Sequence, residues 1–144
     1  MRLIFSLIIL FIFSFSVRVA AQSVYTPERG SPERKAVMDA LRVPVERELK
    51  QKIIFAADDF RVSGNWAFLG GTPQTPTGDR PDYSRTIHVG AQQAGAFDNN
   101  IFALLRKTGS QWKVVKYMIG CTDVCYLDWA KRYKAPKAIF PGAE

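Results

Sequence analysis

His88 is the only histidine of this 144-residue chain, and the only side chain whose unperturbed pKa lies near neutrality, so any general-base chemistry starts there. Asp82, Tyr83 and Arg85 stand close to it in sequence. They could supply an orienting carboxylate, an acid and an anion clamp. A lone histidine in a connecting segment is more often solvated or locally bonded, so the acid–base reading requires convergence with a carboxylate. Asp58-Asp59 offers one. In a strand, neighbouring residues face opposite ways, so only one of the pair can enter a concave pocket. There, among Phe55, Phe60 and Trp66, its pKa would rise and it could act as a base. The opposing reading is an edge-strand charge that discourages pairing with other chains.

Trp66, Trp112 and Trp129 could stack on sugars or aromatic ligands, with Trp66 and Arg85 as the binding candidates. Each tryptophan also lies in an apolar pattern, where core packing is the more economical explanation. The chain has no G-x-S-x-G, P-loop, dinucleotide-binding glycine pattern or H-E-x-x-H, so the corresponding nucleophile, phosphate and zinc-protease chemistries have no support. A zinc site would need about four ligands, whereas two thiols and His88 are present. No metal or other cofactor is expected.

The two thiols, Cys121 and Cys125, form a CTDVC run. They read as a disulfide if the chain leaves the reducing cytosol. Residues four apart in a regular helix have Cα atoms about 6 Å apart, near the long end of disulfide geometry, so Cys121 would sit more easily just before a helix and Cys125 in its first turn. Closing so short a loop stabilises by only about 2 kcal/mol. Residues 1–21 supply the compartment. Arg2 precedes an apolar run from Leu3 to Phe15, and Val19-Ala20-Ala21 offers small residues to a signal peptidase. That run is shorter than the roughly 20 residues a membrane span needs, so a cleaved leader and a periplasmic or secreted protein with no stable span are expected.

Cleavage after Ala21 leaves 123 residues, enough for one core. Losing Arg2 and Arg18 lowers the net charge from +7 to +5, with the basic residues scattered. That pattern suits solubility and a weak attraction for anionic lipid or envelope polymer. A nucleic-acid ligand would want a basic stripe interleaved with exposed aromatics, so none is expected.

Residues 22–30, broken by Pro27 and Gly30, read as a flexible N-terminal segment, followed by a single domain over 31–144. Ser31-Pro32-Glu33 is a helix start. Val37, Leu41, Val45 and Leu49 make its apolar stripe, and Pro44 predicts a stop or kink near Arg42-Val43. Residues 52–70 read as a hairpin turning at Ser63-Gly64-Asn65. Ile101–Arg106 and Trp112–Ile119 read as a second hairpin, the last strand lying inside the sheet and covered on both faces. Thr122 or Asp123 should cap a final helix carrying Tyr126, Trp129, Ala130 and Tyr133, which Pro136 stops. Residues 70–99 are rich in glycine and proline and longer than an ordinary loop, which suggests a lid or hidden elements: a strand over 82–89 and a helical turn over 89–97.

This order predicts an α+β fold: an antiparallel, curved sheet of four to five strands, an N-terminal helix on one face and a short C-terminal helix. The pattern resembles the cystatin-like and NTF2-like families. The fragments ALRVPVERELKQKIIFAADDFRVSGNWAFL and FALLRKTGSQWKVVKYMIGCTDV resemble a group of small exported bacterial proteins of unassigned function. The resemblance implies a fold and an envelope setting and carries over no site residue, because NTF2-like proteins range from isomerases to pure binding modules. Three functions follow as expectations. The first is an exported, non-catalytic module that binds a protein or small apolar ligand in the cell envelope, through a groove between the first helix and the sheet or a patch on the long connection. The second is an NTF2-like enzyme using a pocket carboxylate with His88 or Tyr83. The third, an inhibitor or immunity protein against an envelope-directed enzyme, fits size and compartment but rests on no particular residue.

Overall fold

A computed structural model describes residues 22–142; the leader expected over 1–21 lies outside them. Helix α1 (Pro32–Leu49) begins where Ser31 caps it, its hydroxyl accepting from the Arg34 amide. It runs through Pro44 instead of ending there. Pro44 removes one helical hydrogen bond, at about 3 kcal/mol. Val45 and Leu49, beyond it, are fully buried with Val37 and Leu41, and each stabilises by about 1.5–3 kcal/mol. Packing therefore outweighs the local penalty.

The sheet is an antiparallel meander in the order β1 (Ile54–Ser63), β2 (Trp66–Gln74), β3 (Ile101–Thr108), β4 (Gln111–Ile119). The expected α+β fold is thus present, with four strands. Strand β2 continues through Gly70, Gly71 and Pro73, which the sequence assigned to the long connection. Gly71 is required there, since a Cβ would lie 2.1 Å from the Ala56 carbonyl oxygen. Pro73 is tolerated because β3 pairs with β2 only as far as Gly71, so beyond that point β2 has one neighbour.

Two bulges change the register, one between Ala57 and Asp59 in β1 and one in β4 opposite Leu104 and Leu105. Each shifts the alternation of faces by one residue. Phe55 and Phe60, five apart, therefore meet in the core beneath α1, as do Trp112, Val114, Tyr117 and Ile119. Strand β4 is an edge of the sheet and not an interior strand, although side chains from both of its faces pack: Val115 joins the opposite core.

That second core holds Trp66, Phe68, Leu104, Trp129, Ile139 and Phe140, covered by α3 (Trp129–Tyr133) and a 3-10 turn (Lys137–Ile139). The final helix is shorter than expected and begins at Trp129, because residues 122–128 form turns around the Cys121–Cys125 disulfide. The bridge spans a Cα–Cα distance of 6.1 Å. Between β2 and β3, residues 82–88 are coil and turns in place of the strand expected over 82–89, and α2 (Val89–Gln93) follows. The N-terminal segment is tied to the sheet, Tyr25 exchanging both backbone bonds with Val62. No helix among the described residues is long and apolar enough to cross a membrane.

Candidate functional site

Glu48 meets His88 at the end of α1. His88 Nε2 lies 2.7 Å from Glu48 Oε1, while the Tyr117 hydroxyl donates to Glu48 Oε2. An ionised carboxylate has no hydrogen to give, so facing one Nε2 is the donor, and in the neutral imidazole Nδ1 is then an acceptor. Among the described residues Nδ1 has no hydrogen-bond partner and reaches solvent. Burial first, then the hydrogen bond to Glu48 and its charge, hold the Tyr117 phenol above its ordinary value. The arrangement positions a histidine as carboxylate–histidine pairs do.

The connection carrying His88 is fixed by further bonds. Gln51 accepts from the Asp82 amide and donates to the Asp82 carbonyl. Tyr83 is 1 % exposed, its hydroxyl donates to Asn99 at 2.6 Å, and its ring packs edge-on against His88 and Phe97. Burial pushes its phenol up to about 12. Tyr83 is therefore a core residue whose hydroxyl is already engaged.

The other candidates lie apart from His88. Asp58 is the exposed bulge residue of β1, and Asp59 faces the opposite core, 3.5 Å from Arg61. The carboxylate that meets His88 is Glu48 and neither of these two. Arg85 is exposed. Trp66 is buried beneath the Arg106 guanidinium, and Trp112 and Trp129 are likewise buried. Among the described residues no three His, Cys, Asp or Glu side chains gather to hold a metal.

A groove runs between α1 and β1. Clefts of about 440 and 430 Å³ line up along Phe55–Arg61, and a third of about 350 Å³ follows α1; all three share Arg34. Arg34 stacks over Phe60 at 4.6 Å and donates to the Pro27 carbonyl. Its pKa is lowered, first by burial and then by the like charge of Arg29. Neither arginine forms an ion pair among the described residues. A separate cleft of about 280 Å³ lies between Tyr126, Ala130 and Phe140, with Leu127, 79 % exposed, beside it.

Sequence reasoning missed Glu48, Tyr117 and Arg34. Two of them carry a readable signal. Arg34 lies seven residues before Leu41 and Glu48 seven after it, so both charges fall on the apolar stripe of α1 at almost two full turns' spacing. Charges placed there must find partners or line a groove. Tyr117 reaches Glu48 only because the β4 bulge turns it toward α1, which alternation does not reveal. No protein-family model matches the chain, and no curated protein or solved structure was found to match it.

Proposed function

We propose that this chain is a small exported module that binds a partner in the cell envelope without catalysis. The observation that carries the reading is the groove between α1 and the outer edge of β1, where Arg34, Met38 and Phe55 form a continuous lining of mixed polarity. This is the location at which a helix laid across a curved sheet offers a binding surface, as the cystatin-like and NTF2-like resemblance implies. Export is part of the proposal, supported by the apolar run at residues 3–15 and the Cys121–Cys125 disulfide. The test is recovery of the protein from the envelope with mass spectrometry of what stays bound. The expected result is a retained protein or ligand that Met38→Glu releases. Retention unaffected by that substitution would remove the groove from the proposal.

A second reading has its own observation, the Glu48–His88 pair with Nδ1 open to solvent. It supports an NTF2-like enzyme in which His88 takes a proton and Glu48 steadies the imidazolium. Structurally, the same pair latches the 82–99 connection to α1. The binding reading predicts that His88→Ala leaves ligand retention unchanged. A loss of turnover in any assay that emerges, with the fold intact by circular dichroism, would favour the enzyme.

A further inference from the structure

We propose that the groove takes an extended peptide that adds to the outer edge of β1 and places a carboxylate between Arg29 and Arg34. The inference rests on the binding-module reading and specifies its ligand. Strand β1 is an edge of the sheet, and among the described residues its outer side is closed only at Val62, by Tyr25. Because Val62 directs its N–H and carbonyl outward to Tyr25, the alternation of an antiparallel strand turns those of Phe60 outward too. Among the described residues no second strand meets this edge from Ile54 to Arg61. The chain does not extend the pairing past Tyr25, for Pro27 has no amide hydrogen and its carbonyl is taken by Arg34. An unpaired edge of this kind is a template for another strand.

The side chains along this edge specify the occupant. Met38 and Phe55 line the groove, an apolar surface for alternate side chains of the added strand, and Ile54, 38 % exposed, lies on the other face of the strand. At the Phe60 end stand Arg29 and Arg34, which form no ion pair among the described residues although Glu28 and Asp58 line the same cleft, while Arg61 already faces Asp59. Two guanidinium groups held close raise each other's energy, and a carboxylate between them relieves that repulsion with charge-assisted bonds. Exposed Asp58 lines the same cleft as both arginines and disfavours a second acid on the peptide.

The test uses a fluorescein-labelled hexapeptide of alternating valine and threonine that ends in glutamate with a free carboxylate, beside the same peptide ending in glutamine amide. Glutarate serves as a small dicarboxylate, and each probe is titrated into the purified protein while amide spectra are recorded. The expected result is saturable binding of the first peptide, with shifts concentrated on Ile54–Phe60 and at least tenfold weaker binding of the amide. Arg34→Gln and Arg29→Gln should each weaken binding about tenfold. Arg29 is exposed, so its replacement tests the contact even where loss of the Arg34–Phe60 stack disturbs the fold. Equal binding of both peptides, binding of glutarate alone, or dimerisation through β1 that excludes the peptide would overturn the peptide assignment while leaving a binding module. A groove that takes no probe, in a protein that retains nothing from the envelope, would overturn both proposals.

Discussion

Glu48 accepts two hydrogen bonds from side chains distant in sequence, His88 and Tyr117, so its removal leaves two half-buried polar groups to find water. Glu48→Ala is expected to lower unfolding free energy by about 2 kcal/mol in urea titrations. In a double-mutant cycle with His88→Ala, the coupling should exceed about 0.5 kcal/mol; strict additivity would show that the latch contributes nothing. The tyrosines give the alkaline counterpart. Tyr83 rises from 10.0 to about 12, mainly through burial, and Tyr117 is raised as well. A group whose pKa is raised on folding contributes stability that is present below its unfolded value and lost as pH climbs to the folded one. Stability should therefore hold up to about pH 10 and fall between 10 and 12. Tyr83→Phe, although it loses the bond to Asn99, should flatten that fall, and an unchanged alkaline slope would contradict the burial argument.

At the scale of elements, what could be read from the sequence depended on whether local and tertiary preferences agreed. The α1 stripe and the tight turn at Gly64 were readable because apolar spacing and the conformational freedom of glycine point to the same structure. Where α1 ends was not, because burial of Val45 and Leu49 overrides Pro44. The faces of β1 and β4 were also hidden, since a bulge shifts register without leaving a composition signal, and it is the bulges that decide where Asp58 and Tyr117 point. The half of the candidate site on the long connection was therefore visible at His88, while its partner Glu48 was overlooked on a helix already read as amphipathic. Pro44→Ala tests the override directly. Restoring the missing amide should raise stability by about 2 kcal/mol, the helical gain less the flexibility added to the unfolded chain. A loss of stability would mean that the proline ring packs as part of the core.

Across the whole molecule the sheet separates two cores, one under α1 and one under α3 and the C-terminal turn. Adjacent residues of one strand divide between them, Ala67 and Leu69 facing one side and Trp66 and Phe68 the other. Neither layer can be lost without exposing backbone that the other depends on, so the two should unfold together. The disulfide sits where β4 leaves the sheet for the C-terminal layer, and reducing it should lower that single transition by about 2 kcal/mol without splitting it. Trp129, 2 % exposed at the centre of the second core, provides the sharper test. Trp129→Ala should remove about 3–5 kcal/mol, and Leu41→Ala in the first core about 2–5 kcal/mol. In both variants, fluorescence and far-ultraviolet circular dichroism should trace one coincident transition. If Trp129→Ala instead produced an early fluorescence change while the sheet signal stayed intact, the C-terminal layer would be an independently melting cover over Phe68 and Leu104, and the two cores would not be one cooperative unit.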